Sequence, residues 1–220
     1  MLSEKSNLET INAQEILHSL TNAKNNNELA EYYDSIAENY EQISSEDFGR
    51  SQEQDQPFLQ SIVKYIAKEG RILDAGVGTG TIGQYLNRLG YHHLFGIDLS
   101  LGMLAEARKK KVYTNLQKMI LGETLDFSND YFDAVICSRT LALGNAPSSC
   151  FDELIRITKP GGCIIFTIKT DFYESSDFKD KVLVLMTSGQ WELVEITDKY
   201  KPLPKVEPNL YYQVRVCRVL

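Results

Sequence analysis

The stretch from Arg71 to Gly83, RILDAGVGTGTIG, decides how the rest of the chain is read. A short apolar run, Ile72-Leu73, leads to Asp74, and glycines follow at positions 76, 78 and 80. A helical pattern starts at Thr81. This is the pattern of a buried strand, a tight glycine turn and a helix N-terminus. Glycine at alternate positions lets the backbone adopt left-handed angles and lets a ligand approach the main chain. The helix start offers unpaired N–H groups to that ligand. A turn of this kind can be only a turn, but three glycines at this spacing favour a binding role. Gly78, Gly80 and Gly83 also spell G-x-G-x-x-G, the dinucleotide fingerprint. Taken alone, the stretch leaves two ligand classes open.

Downstream, the helix from Thr81 runs to about Leu89 and Gly90 ends it. His92 and His93 lead into the next strand at its N-terminal end, away from the strand ends where ligands of open α/β sheets bind. That strand, LFGID (94–98), ends in Asp98, close to the ~20-residue spacing expected of a ribose-binding acid. A carboxylate there can accept both vicinal ribose hydroxyls, and Ser100 is the better N-cap for the helix that follows. LGMLAEARKKK makes that helix, with Leu101, Leu104 and Ala105 expected to face the sheet. Its basic end, Arg108 to Lys111, complements the helix dipole. A weak strand is expected over 117–121, reaching Gly122-Glu123. DAVICS (133–138) is almost wholly apolar, as a central parallel strand should be, and leads to Ser138-Arg139-Thr140. Ser149 with Asp152 gives a capping-box-like helix start. TKPGG (158–162) reads as a turn and CIIFTIK (163–169) as a strand. Residues 171–190 read as an insertion holding one helix. WELVEIT (191–197) and YYQVRVCRVL (211–220) alternate like strands and would add antiparallel partners at one side of the sheet.

Upstream, DQPFLQSIVKYIAKE (55–69) carries an amphipathic face of Phe58, Leu59, Ile62, Val63 and Ile66, with Pro57 in a first turn and Gly70 as the stop. It is expected to cover the sheet and to carry no chemistry of its own. In residues 28–42, Tyr32, Tyr33, Ile36, Ala37 and Tyr40 recur at helical spacing. Such a stripe either packs the helix onto the domain or forms a lid over the glycine turn. Residues 1–27 read as an N-terminal helix and an Asn-rich flexible joint at 25–27. Residues 28–220 then form one domain, with 28–54 as the lid region. The β-α alternation implies a doubly wound α/β sandwich.

The bulk numbers narrow the function. The 220 residues, 43% hydrophobic and 24% charged, suit one soluble domain. No apolar run approaches the ~20 residues of a membrane span, and the N-terminus lacks a signal-peptide core. A cytoplasmic protein with no membrane partner is expected. The net charge of −7 disfavours nucleic acid. Cys137, Cys150, Cys163 and Cys217 form no metal or redox motif, and His18, His92 and His93 are badly placed for zinc, so no metal is expected.

At this point a family resemblance enters. LDAGVGTG resembles the first motif of class I S-adenosylmethionine-dependent methyltransferases, and FGIDLSLGMLAEARKK their second. FDAVICSRTL and LIRITKPGGCIIFTIK resemble their later strand motifs, and YYDSIAENYEQ the lid helix of small-molecule members. YYDSIAENYEQ, TLALGNAP, ITKPGG and GQWE are similar to the methyltransferase-like proteins of the Williams–Beuren syndrome chromosomal region. The resemblance spans roughly residues 30–170. It implies a Rossmann-like doubly wound sandwich whose sheet is mostly parallel and seven-stranded with an antiparallel closing strand.

The resemblance also implies S-adenosylmethionine as cofactor and assigns roles. Asp74 organises the glycine turn and helps hold the methionine amino group. Gly76, Gly78 and Gly80 let the main chain pass the ligand. Asp98 holds the ribose, and Leu99 and Met103 flank the adenine. Leu121 and Gly122 offer backbone groups to the adenine edge. Leu121 stands where many members have Asp, so Glu123 is the candidate substitute. Cys137 offers a carbonyl to the methionine amino group, and Tyr33 packs over the methionine end. Tyr40, Arg139, Asp171 and Tyr173 are candidates for the substrate side. No catalytic base is assigned and no feature specifies an oligomeric state. A small-molecule acceptor is expected first and a protein side chain second. A nicotinamide-dependent (NAD(P)) Rossmann oxidoreductase and a non-catalytic cofactor-binding protein working through a partner remain the alternatives.

Overall fold

The computed structural model describes residues 16, 18, 19, 22–141, 146–205 and 207–220. The N-terminal helix expected within 1–27 lies mostly outside the described residues, as do positions 142–145 of the TLALGNAP motif. The strands are β1 (Ile72–Ala75), β2 (Leu94–Asp98), β3 (Asn115–Lys118), β4 (Phe132–Leu141), β5 (Thr158–Lys169), β6 (Trp191–Ile196) and β7 (Tyr212–Val219). They form one sheet in the order β3-β2-β1-β4-β5-β7-β6. The first five are parallel, and β7 runs antiparallel between β5 and β6. The order reverses direction between β1 and β4, which is where open α/β sheets leave a crevice for a ligand.

The main helices are α1 (Asn26–Ile36), α2 (Gln52–Tyr65), α3 (Thr81–Arg88), α4 (Leu101–Lys109), α5 (Cys150–Ile157), α6 (Thr170–Ser175) and α7 (Asp177–Thr187). They cover both faces of the sheet. Side chains of β1 alternate: Leu73 and Ala75 join Phe151, Leu154, Phe178 and Val182 from α5 and α7 on one face. Ile72 joins Phe58, Ile62, Ile82 and Leu86 from α2 and α3 on the other. Trp191 is buried in the first layer, where its indole N–H donates to the Val182 carbonyl. Cys137, Cys150, Cys163 and Cys217 are free and buried.

Several local expectations are corrected. Asn25 is the N-cap of α1, its side chain accepting the Asn27 and Glu28 N–H groups, so the Asn run starts a helix instead of loosening the chain. Past α1 the chain continues through a 3-10 turn (Ala37–Asn39), a single α turn (Tyr40–Gln42) and a π turn (Ile43–Asp47). Helix α2 begins before Asp55, capped by Ser51 in a box with Gln54. Pro57 therefore sits in the helix interior, and the helix stops at Tyr65, short of Gly70.

In α4 the buried residues are Met103, Leu104 and Ala107, while Leu101 is 54% exposed and Ala105 points outward. Ser100 accepts the Met103 N–H, and that cap sets the helix phase. Strand β3 lies two residues earlier than expected. TKPGG is the bulged start of β5, which pairs Thr158 with Phe132 and then Cys163 with Ala134. Ser149 makes no side-chain cap at α5. The 171–190 stretch holds two helices, α6 and α7.

Candidate functional site

The glycine turn is tied to β2 at several points. The N–H groups of Gly76 and Val77 both donate to the Ile97 carbonyl at 2.9 Å. The Gly78 N–H donates to Asp98 Oδ2 at 2.8 Å, and the Ser100 N–H donates to Oδ1 at 2.9 Å. Asp98 is thus held against the turn by main-chain donors, and a carboxylate with two such bonds keeps free lone pairs for further donors. Burial pushes its pKa up to about 6, against the pull of those N–H groups.

The glycines have distinct reasons to be glycine. At Gly76 (φ +80°) a Cβ would meet Thr140 Oγ1 at 2.1 Å. At Gly78 (φ +53°) a Cβ would find nothing within 4 Å, because this residue faces an open cavity. Gly83, the third glycine of the G-x-G-x-x-G frame, makes room for Tyr113, whose hydroxyl a Cβ would meet at 2.2 Å. That hydroxyl accepts the Gly83 N–H at 3.1 Å and donates to Asp74 Oδ2 at 2.7 Å. Asp74 is 2% exposed, and burial lifts its pKa to about 7, with the Asp98 charge adding and the Tyr113 bond opposing.

The cavity lies over the C-terminal ends of the parallel strands, about 840 Å³ including its open mouth. Toward β2 and β3 it is lined by Asp98, Leu99, Met103, Met119, Ile120 and Leu121. Toward β4 and the lid it is lined by Tyr33, Tyr40, Arg50, Ser138, Arg139 and Thr140, with Gly76, Gly78 and Thr79 between the two ends. The structure thus brings together nine of the residues singled out in the sequence: Tyr33, Tyr40, Gly76, Gly78, Asp98, Leu99, Met103, Leu121 and Arg139.

The others lie elsewhere. Asp74 is beneath the turn with Tyr113. Gly80 caps α3 and packs on Ala107 and Tyr113. Gly122 packs against Pro147, and the cavity wall nearby is Met119, Ile120 and Leu121, with Glu123 absent from it. Cys137 is mid-strand in β4 and its side chain belongs to the core, where burial raises the thiol pKa well above the usual range. Asp171 is exposed beside Lys169, at 3.5 Å. Tyr173 is covered by the Arg215 guanidinium, 3.7 Å from its ring centroid.

Asp55, Arg50 and Asp34 escaped the sequence reading, and the first two gather around Arg139, which did not. Arg139 has φ +59°, its N–H donates to Thr167 Oγ1 at 2.7 Å, and its guanidinium pairs with Asp55. Burial works against the Arg139 charge, but the Asp55 charge and hydrogen bond outweigh it and raise the pKa. Asp55 is 4% exposed and comes from α2, so the helix expected to carry no chemistry supplies the carboxylate beside the cavity. Arg50 precedes that helix and lines the cavity with Tyr40; burial first, then the Arg139 charge, lowers its pKa, against the opposing pull of Tyr40 and Asp55. Asp34 of α1 accepts from the Ser100 hydroxyl and from the Gly102 N–H, the latter at 2.7 Å, which fastens α1 to the start of α4.

With this geometry in place, the comparisons are informative. Residues 73–166 match the family model described as "Methyltransferase domain". The chain is 35% identical over 128 residues to human "Methyltransferase-like protein 27", covering 55% of this chain and 51% of that protein. It is 37% identical over 97 residues to a demethylmenaquinone methyltransferase of Clavibacter sepedonicus, covering 43% of this chain and 39% of that one. The chain spans about half or less of these two relatives' length. Among solved structures, the [4+2]-cyclase SpnF superposes with TM-score 0.72 and 16% identity, over 90% of this chain and 97% of that one. An S-adenosylmethionine-dependent methyltransferase from Mesorhizobium loti gives 0.58 and 17%, over 75% and 97%.

The family model and these relatives support a class I S-adenosylmethionine-dependent methyltransferase family for the matched region, residues 73–166, and the sheet is Rossmann-like, mostly parallel and seven-stranded. A methyltransferase-like protein is among its relatives, in keeping with the resemblance read from the lid and later motifs. The family implies S-adenosylmethionine as the cofactor. Among the described residues no helix is long and apolar enough to cross a membrane.

Proposed function

We propose that the chain transfers the methyl group of S-adenosylmethionine to a small-molecule acceptor held between the glycine turn and the lid. One observation carries this reading: a single cavity joins the Gly76–Gly78 turn and Asp98 at one end to Tyr33, Tyr40, Ser138 and Arg139 at the other. Two details support the fit of the cofactor. The space in front of Gly78 is open where a side chain would fill it, and Ser138 Oγ is buried with no hydrogen-bond partner among the described residues. Both features leave room and bonding capacity for a ligand.

When bound, S-adenosylmethionine supplies a methyl group already activated on a sulfonium. The protein's own task is alignment and the exclusion of water. Asp98 has free lone pairs for two ribose hydroxyls, and Leu99, Met103 and Leu121 offer apolar walls for the adenine. Asp74, fixed by Tyr113, stiffens the base of the turn. Tyr33 and Tyr40, edge to face at 6.4 Å, roof the other end and exclude solvent. The names of relatives such as the demethylmenaquinone methyltransferase favour a small acceptor over a macromolecule. Radiolabelled methyl transfer to a metabolite extract tests the reading. Label in a low-molecular-weight product supports it; label only in protein, or none, counts against it.

A further inference from the structure

We infer that the acceptor carries a carboxylate, seated against Arg50 and Arg139 beneath the lid; this rests on the methyltransferase reading above. The argument is one of charge balance. Two guanidinium groups line the acceptor end of the cavity, and one carboxylate, Asp55, accompanies them. Asp55 is committed to Arg139 and reaches Arg50 only at longer range, while Arg50 lines the cavity beside Tyr40 with no carboxylate paired to it among the described residues. Asp74 also reaches Arg139, from beneath the turn, so the guanidinium left without a carboxylate at this end is that of Arg50.

The cofactor adds a positive charge: its sulfonium and ammonium outweigh its single carboxylate. That sum holds even if a guanidinium takes the cofactor's own carboxylate. Excess positive charge in a roofed pocket is costly, because buried charge needs a partner. An acceptor carboxylate supplies the missing anion, and arginine forks match its geometry. Asp98 does not balance the excess, since it stands across β1 at the opposite end and is bonded to the Gly78 and Ser100 N–H groups.

The test uses the full chain loaded with S-adenosylhomocysteine and a panel of carboxylic acids, each paired with its primary amide, with 4-hydroxybenzoate and 4-hydroxybenzamide as the reference pair. Calorimetric titration is expected to show acids binding at least tenfold more tightly than their amides. Arg50→Gln and Arg139→Gln should each reduce that preference to below threefold. Arg139→Gln leaves Asp55 unpaired, so the double variant Asp55→Asn, Arg139→Gln is measured beside it, with thermal melts to confirm folding.

Acids no better than amides across the panel, or no acid binding at all, overturns the inference. So does a variant effect confined to S-adenosylhomocysteine and missing for 5′-methylthioadenosine, which lacks the carboxylate, with the acid preference intact: the arginines would then serve the cofactor. If neither adenosyl ligand binds, the methyltransferase reading falls. The acid–amide comparison on the unloaded chain then decides the anion claim separately.

Discussion

Asp98 and Asp74 are carboxylates buried within one turn of each other, and both are shifted upward, to about 6 and about 7. Their unfolded value is ~3.9, so between that pH and about 7 the folded chain holds more protons than the unfolded one. Stability conferred by these groups is present at low pH and is lost as pH rises through the folded values. The ligand-free chain is therefore expected to melt at lower temperature as pH is raised from about 4.5 to 7.5. The double variant Asp74→Asn, Asp98→Asn should flatten that trend. Ligand affinity should move the other way: Asp98 must be ionised to accept two hydroxyls, so S-adenosylhomocysteine binding weakens as pH falls through about 6, and Asp98→Asn removes the dependence. Tyr113→Phe deletes the side-chain donor that buried Asp74 has among the described residues and should cost ~1–3 kcal/mol, read from denaturant melts.

The legibility of these residues follows their sequence separation. Asp98 and the glycines were readable because strand, turn and acid are local constraints. Tyr113, Asp34 and Asp55 were not, since their partners lie 39, 66 and 84 positions away.

At the scale of elements, the lid is the informative case. Its aromatic stripe was visible as helical spacing, and Tyr33 and Tyr40 do line the cavity. What spacing did not show is how α1 is fastened. Asp34 accepts the Ser100 hydroxyl and the Gly102 N–H at the positive end of α4, and Ser100 in turn donates its N–H to Asp98. Helix α1 and Asp98 thus share one capping residue. Asp34→Ala should loosen α1 by ~1–2 kcal/mol, the worth of a strong helix-cap contact. Hydrogen exchange is expected to rise across 26–47 while β1, β4 and β5 stay protected. Uniform loss of protection would contradict a local fastening.

The misread face of α4 has the same origin. Its apolar residues allow more than one phase, and only the Ser100 cap and the packing of Met103 beside α1 select Leu104 and Ala107 as the inner ones. Likewise TKPGG has the composition of a turn, but the pairing of Thr158 with Phe132 of β4 draws it into the bulged start of a strand.

At the scale of the molecule, the alternation of strands and helices was enough to give the doubly wound sandwich and its closing antiparallel pairing. The two halves of the crevice come from different parts of that architecture. The β1-turn-α3 unit with β2 builds the end that the family shares, and this end was legible. The acceptor end is assembled from the lid, the start of α2 and the end of β4, which no short motif encodes. This division explains why the cofactor follows from the sequence while the acceptor had to be argued from charge.

The most direct measurement is calorimetric titration of the purified chain with S-adenosylmethionine, S-adenosylhomocysteine and NADH, repeated on Asp98→Ala. Binding of both adenosyl ligands, weakened at least tenfold in the folded variant and with no NADH binding, is the predicted result. NADH binding alone, or adenosyl affinity untouched by the loss of Asp98, would contradict the account.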